Sequence, residues 1–152
     1  MLSEEDFFQR LALEAKMMEE EEPSFKPIKG DLTHWKGFIL GTKLYEGGVF
    51  EIEIIIPRKF PYIPPKIKWL TPTWHPNIRG EKICVGILGK DWSPTMSLTG
   101  VVEALRNLLN FPNPNDPLNR QAASQMKKNT RKFEDIVKQY IQKEATWDNI
   151  KQ

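Results

Sequence analysis

The sequence contains a single cysteine, Cys84, and only two histidines, His34 and His75. One thiol excludes a disulfide within the chain and any zinc site that needs two cysteines. Long hydrophobic runs are also missing, because aliphatic stretches such as Ile54–Ile56 fall far short of the roughly 20 residues of a membrane helix. The 152 residues suit one domain, which we expect to span residues 1–152 with neither a metal centre nor a membrane segment.

Positive and negative charges are nearly balanced, with 22 Lys and Arg and 20 Asp and Glu. It is unevenly placed, however, because residues 1–22 hold eight acidic and two basic residues. The basic residues lack interleaved aromatics and a glycine-rich loop, which argues against nucleic-acid binding. The N-terminus is acidic where a signal peptide would be basic, so we expect a cytoplasmic or nuclear protein.

Hydrophobic periodicity predicts an α+β domain. Helical spacing of apolar residues predicts helices over about 4–21, in a stretch that follows Ser97, over 119–128 and over 131–145. Extended patterns predict strands over 33–40, 49–56 and 66–70, with a short or edge strand near Phe25. The strand connections are too short for parallel crossovers, so the sheet should be an antiparallel meander.

The segment from Thr71 to Pro94 has no regular period but many apolar anchors, which is typical of a functional loop. Cys84 lies in it, and four interpretations of this residue are open. It could be a small buried hydrophobe. It could bind zinc with His34 and His75, for which the spacing is poor. It could be the nucleophile of a cysteine protease, with His75 as base.

The fourth interpretation is that Cys84 carries an acyl group as a thioester and passes it to an amine. Such a site needs an accessible thiol, a donor for the developing oxyanion and a group that prepares the amine. The side-chain amide of Asn77 fits the donor, and the carboxylate of Asp116 fits the last role. A histidine base is not required, because a thioester is already activated.

Six motifs, in the same order and at nearly the same spacing, resemble those of the ubiquitin-conjugating enzymes. They are Tyr45–Phe50, Phe60–Lys66, His75–Ile78, Gly80–Leu88, Trp92–Pro94 and Pro112–Leu118. The resemblance runs nearly end to end. It implies the fold of that family, with an N-terminal helix, a four-stranded antiparallel meander and C-terminal helices.

The resemblance also implies roles for individual residues. Cys84 matches the cysteine that accepts ubiquitin or a ubiquitin-like modifier from an activating enzyme and passes it to a substrate lysine. Asn77 matches an asparagine that stabilises the oxyanion or orders the active-site loop, and Asp116 matches the acid that positions the lysine. His75 matches a structural histidine. No cofactor is implied, and family members are commonly monomers.

The partners implied are the modifier, an activating enzyme, a ligase of the RING type and a protein substrate. Two loops match those that family members offer to ligases, and we refer to them as the ligase loops. They consist of Pro61, Tyr62 and Ile63 in the first loop and Ser93, Pro94 and Thr95 in the second.

The chain departs from the family pattern at four places. Gly86 stands where many members have an acidic or polar residue, and Asn115 stands where many have an acid, which predicts less negative charge around Cys84. Thr95, in the second ligase loop, stands where alanine is frequent. The first helix is acidic where ubiquitin-specific members are often basic, which indicates a different activating enzyme. Two other classes remain as alternatives, a catalytically silent scaffold of the same fold and a cysteine hydrolase that uses His75.

Overall fold

The structure, a computed structural model, describes residues 1–84 and 86–150, with only the backbone at Ile87. Its helices are α1 (Glu4–Glu21), α2 (Leu98–Asn110), α3 (Arg120–Lys128), α4 (Thr130–Glu144) and the short α5 (Trp147–Ile150). Helices α1, α3 and α4 begin and end within one residue of their predicted bounds. Helix α2 follows Ser97, as predicted, and α5 was not predicted. None of the helices in these described ranges is long and apolar enough to cross a membrane.

Four strands form the main sheet in the order β1-β2-β3-β4, with every neighbouring pair antiparallel. They are β1 (Lys26–Ile28), β2 (Asp31–Leu40), β3 (Val49–Ile55) and β4 (Lys66–Trp69). This arrangement confirms the predicted meander with its short first strand at the edge. A second, two-stranded sheet pairs β5 (Ile78–Arg79) with β6 (Lys82–Ile83). The sequence pattern misses this hairpin because two-residue strands are too short to show a period.

One hydrophobic core joins the inner face of the main sheet to the helices. On β3 and just after it, Phe50, Ile52, Ile54 and Ile56 are all buried, as their alternation predicts. Phe7, Leu11 and Met18 of α1 belong to the same core, as do Val101, Leu105 and Leu109 of α2. This rigid body carries the irregular segments that approach Cys84.

Side-chain caps fix where the helices near these segments begin. The Ser97 Oγ accepts a hydrogen bond from the Gly100 N–H at 3.1 Å, which starts α2 directly after the second ligase loop. The Asn119 Oδ1 accepts from the Ala122 N–H at 3.0 Å, which starts α3 at Arg120, four residues after Asp116. The second ligase loop and the loop that contains Asp116 are thereby attached to packed helices.

Candidate active site

Cys84 and Asp116 meet at the protein surface. The Cys84 Sγ donates a hydrogen bond to Asp116 Oδ2 over 3.6 Å. Cys84 is partly buried and Asp116 is exposed, so a reactant can reach the pair from solvent. Burial, followed by the negative charge and the hydrogen bond of Asp116, raises the pKa of the Cys84 thiol. The protein therefore holds this cysteine as a thiol at neutral pH.

Two consecutive backbone carbonyls bring the segments of this pair together. The Asn77 carbonyl accepts a hydrogen bond from the Cys84 N–H at 3.0 Å. The Pro76 carbonyl accepts from the N–H groups of Leu118 and Asn119, at 2.8 and 3.0 Å. The positions of Cys84 and of the loop that carries Asp116 are thus set from one point of the chain.

The side chain of Asn77 strengthens this connection from a buried position, with only 2% of its surface exposed. Its Nδ2 donates to the carbonyls of Asn113 and Asp116, at 2.9 and 3.1 Å. Its Oδ1 accepts from the Asn113 N–H at 2.8 Å. A primary amide has two N–H donors, and both are directed at the loop. Asn77 thus holds residues 113–116 in place through three hydrogen bonds.

His75 is buried and neutral. Its Nδ1 accepts from the Asn77 N–H at 2.9 Å, so its Nε2 carries the hydrogen and donates to the Leu108 carbonyl at 2.8 Å. Burial lowers the pKa of His75 to about 4. Both ring nitrogens are engaged, so neither is free to act as a base on Cys84. This geometry contradicts the hydrolase alternative and agrees with the structural role that the resemblance implies.

The zinc interpretation also finds no support in the geometry. His34 lies on β2, where its Nε2 contacts the Glu53 carboxylate on β3. His75 uses both of its nitrogens as described above. Within residues 1–84 and 86–150, no group of three or more His, Cys, Asp and Glu side chains is placed to hold a metal.

Gly86 lies against the side chain of Asp91, which the sequence does not reveal. A Cβ atom at this position would meet the Asp91 carboxylate, which is the end of a flexible side chain and can move aside. The Asp91 N–H in turn donates to the Gly86 carbonyl at 3.0 Å, which folds the chain back on itself. A carboxylate therefore lies beside position 86 even though residue 86 has no side chain. Sequence reasoning missed Asp91, since it stands seven residues after Cys84.

A family model described as ubiquitin-conjugating enzyme matches residues 9–141. The chain belongs to the ubiquitin-conjugating enzyme family. Among solved structures, it is similar to a ubiquitin conjugating enzyme E2 domain of Toxoplasma gondii, with 34% sequence identity and a TM-score of 0.85. That match covers 91% of this chain and 99% of the other. The protein is thus a transferase that works through a cysteine thioester, together with a ubiquitin-like modifier, an activating enzyme and ligases.

In this ubiquitin-conjugating enzyme the two ligase loops lie side by side. The indole N–H of Trp92 donates to the Pro61 carbonyl at 2.8 Å and thereby joins them. Tyr62 and Ile63 are exposed by 53% and 39%, whereas Pro61 is buried. The second loop exposes Pro94 and Thr95, and Ser93 is partly buried, with its Oγ 3.0 Å from the Thr95 Oγ1. The two loops together expose apolar and hydroxyl groups.

An arginine and a glutamate of α1 hold the second ligase loop, and sequence reasoning assigned them no role. The Arg10 guanidinium donates to the carbonyls of Pro94 and Met96, at 3.2 and 3.0 Å. It also donates from Nε to the Glu14 carboxylate at 2.9 Å. The other Glu14 oxygen accepts from the Leu98 N–H at 2.7 Å, at the first residue of α2. The only sign of this contact in the sequence is the spacing of four residues between Arg10 and Glu14, which is typical of an ion pair on a helix.

Glu14→Ala should lower the free energy of unfolding by about 1–3 kcal/mol, because it leaves the buried Leu98 N–H without an acceptor, whereas Arg10 keeps its bonds to the Pro94 and Met96 carbonyls. Glu14→Gln keeps an acceptor for Leu98 and should cost less than the alanine variant. Urea denaturation measures both, with Glu19→Ala on the exposed side of α1 as the matched control, expected within about 0.5 kcal/mol of wild type. A cost below about 1 kcal/mol for Glu14→Ala would show that this contact is not structural.

Proposed function

We propose that Cys84 accepts the modifier and that Asp116 prepares the lysine which removes it. In the first step the Cys84 thiolate attacks the carbonyl of the activating enzyme's thioester and releases that enzyme's thiol. In the second step a lysine amine attacks the new thioester, an isopeptide bond forms, and Cys84 leaves as the thiolate. The observation that carries this proposal is the 3.6 Å contact between Cys84 Sγ and Asp116 Oδ2.

The contact gives Asp116 a different part in each step. Before loading, its charge and hydrogen bond favour the thiol of Cys84 and oppose formation of the thiolate. After loading, the sulfur has no proton to donate, so the carboxylate is free to accept one from an approaching ammonium group. A lysine with a pKa near 10.4 is mostly protonated at neutral pH and must lose a proton to attack. Exposure of Asp116 leaves it open to that lysine.

For Asn77 we favour loop support over oxyanion stabilisation. Both of its N–H groups are engaged with backbone carbonyls of the loop. Turning one of them towards an oxyanion would break a hydrogen bond that holds the loop, which contributes about 0.5–1.5 kcal/mol. Support of the loop requires no rearrangement.

The ligase loops, with the adjoining part of α1, are the proposed surface for a RING-type ligase. Exposed Tyr62 and Ile63 in the first loop and exposed Pro94 in the second supply apolar contacts of the kind that partner sites use. We also propose a cytoplasmic or nuclear location.

A charging assay against a panel of activating enzymes and modifiers, each with ATP, tests this function. The cognate pair should give an adduct on a non-reducing gel that a thiol reductant removes. Cys84→Ala should abolish the adduct completely. Cys84→Ser should give an adduct that resists the reductant, because its ester is formed through oxygen.

The same assay separates the proposal from the silent scaffold of the same fold, which would form no adduct with any pair in the panel. An adduct that persists in Cys84→Ala would also contradict the proposal, since it would place the modifier on another residue. Cys84 is the only cysteine in the chain, so sensitivity to reductant identifies the site without further mapping.

A further inference from the structure

The chain turns back on itself shortly after Cys84. A single 3-10 turn spans Gly86–Leu88. The Gly86 carbonyl accepts hydrogen bonds from the N–H groups of Gly89 and Asp91, at 2.9 and 3.0 Å. These two bonds return the chain to Gly86, which is the second residue after Cys84. Asp91 therefore lies beside the active-site segment although seven positions separate it from Cys84 in the sequence.

Two apolar side chains attach this turn to the body of the protein. Leu88 and Trp92 are partly buried and pack against the hydrophobic core. The Trp92 indole also donates a hydrogen bond to the Pro61 carbonyl at 2.8 Å. Asp91 directly precedes Trp92, so its backbone is held from this side as well as by the bond to Gly86.

The carboxylate of Asp91 is open to a cation from solvent. Asp91 and Gly86 are both exposed. Because Gly86 has no side chain, the Asp91 carboxylate lies over the backbone there, at the place that a Cβ atom would take. Across residues 1–84 and 86–150, none of the ion pairs involves Asp91. Its charge is therefore not neutralised by a neighbouring base.

The distance from Asp91 to Cys84 separates its effect from that of Asp116. Two residues of chain span at most about 7 Å, which places the carboxylate over Gly86 roughly 10 Å from Cys84. A charge at that distance attracts an approaching cation but makes no bond to the sulfur. In agreement, burial and then Asp116 raise the pKa of the Cys84 thiol, whereas Asp91 does not contribute.

We propose that Asp91 is a positioning residue that attracts the ammonium group of the acceptor lysine to Cys84 and disfavours anionic groups there. This inference deepens the proposed function and rests on it. Asp91 raises the local concentration of the cation, and Asp116, which contacts the sulfur, then receives its proton. The bases nearest in sequence, Lys82 and Lys90, are exposed too, so Asp91 acts locally and not as part of a wide acidic surface.

Charged thiol reagents test the proposal on the free protein, without any activating enzyme. The probes are the 2-aminoethyl and 2-sulfonatoethyl methanethiosulfonates, a cation and an anion. The Cys84 thiolate attacks the reagent's divalent sulfur, a mixed disulfide forms and methanesulfinate leaves. Cys84 is the only cysteine, so each rate reports on this residue alone.

Asp91→Asn should lower the ratio of the cationic to the anionic rate by about two- to fourfold at about 0.01 M salt, as expected of one charge roughly 10 Å away. The change should nearly vanish at about 1 M salt, where the charge is screened. The pH midpoint of reaction with the neutral methyl reagent should move much less than in Asp116→Asn. A structural role of Asp91 would not discriminate between reagents by the sign of their charge.

Relocation of the carboxylate provides the decisive comparison. The double variant Gly86→Asp/Asp91→Ala moves the acid from residue 91 to residue 86, and it should restore the wild-type ratio that Asp91→Ala alone loses. The space is suitable, because the three atoms nearest to a Cβ at residue 86 all belong to the Asp91 side chain. Asp135→Asn, at an exposed position on α4, is the matched control and should keep the wild-type ratio. Dispersed amide spectra establish that each variant is folded.

The loaded enzyme gives a second readout once its activating enzyme is identified. In discharge to free lysine, Asp91→Asn should raise KM by about two- to fourfold at low salt and leave kcat unchanged, because the charge acts before the chemical step. Discharge to hydroxylamine, which is uncharged at neutral pH, should proceed at the wild-type rate.

Three results would overturn the proposal. They are an unchanged rate ratio in Asp91→Asn, a double variant that keeps the low ratio of Asp91→Ala, and an equal change of the ratio in Asp135→Asn. A loss of kcat with both lysine and hydroxylamine would also overturn it, since it would give Asp91 a structural role. Failure of the charging assay together with the expected rate ratios would instead count against the proposed function alone.

Discussion

Asp116→Ala should slow transfer of the modifier from Cys84 to lysine by about 100-fold, the lower range of effects for a group that assists proton transfer. Loading of Cys84 should continue at the wild-type rate or faster. The reason is that the carboxylate raises the pKa of the free thiol but is positioned to receive the proton of an attacking ammonium. Single-turnover discharge of the purified thioester to free lysine measures the second step separately from the first.

The pH dependence provides a second readout of the same variant. Without Asp116 the pKa of Cys84 should fall, so the pH midpoint of alkylation by iodoacetamide should move to lower pH. Asp116→Asn keeps the shape of the side chain and should show the same shift, which assigns the effect to charge. Asp135→Ala, at an exposed position on α4, is the control. An equal loss in loading and in discharge would give Asp116 a structural role instead.

Asn77→Ala is expected to have the second large effect. It removes three hydrogen bonds to residues 113–116 from a buried position. The free energy of unfolding should fall by about 2–4 kcal/mol, since each of the three hydrogen bonds contributes about 0.5–1.5 kcal/mol. Discharge to lysine should slow at least about tenfold, because Asp116 is no longer held beside Cys84.

Hydrogen exchange distinguishes loop support from a direct role of Asn77 in the reaction. With loop support, the amides of Asn113 and Leu118 should exchange faster in Asn77→Ala than in wild type. Asn115→Ala, at an exposed position in the same loop, is the stability control and should remain within about 0.5 kcal/mol of wild type. Slow discharge combined with unchanged loop exchange would favour donation from Asn77 to the oxyanion.

Much of the fold was predictable because its signals are local. Ser3, Ser97 and Asn119 cap the helices at the predicted starts, and their side chains act over three residues. The alternation from Phe50 to Ile56 depends only on which face of the sheet is buried. Short connections then permit only the antiparallel order. These are the features for which neighbouring residues carry the information.

The geometry of the site was not predictable in the same way. Cys84 and Asp116 are 32 residues apart, and their contact depends on hydrogen bonds to the backbone of Pro76 and Asn77. The burial of Glu14 depends on Arg10 and on the first residue of α2. The chemistry of a thioester made Cys84, Asn77 and Asp116 one of four interpretations, and the family resemblance then favoured it, so their roles stay predictions until the variants are measured.

The raised pKa of Cys84 has a consequence for selectivity towards small reagents. Oxidants and electrophiles attack the thiolate, and burial together with Asp116 keeps that form scarce at neutral pH. The thioester of an activating enzyme reaches Cys84 within a protein complex, where proximity compensates for a weak nucleophile. The chain has no second cysteine that could reduce an oxidised Cys84 through an internal disulfide. Suppression of the thiolate thus protects the atom that we propose carries the modifier, and it lowers an intrinsic reactivity that the protein partner would restore.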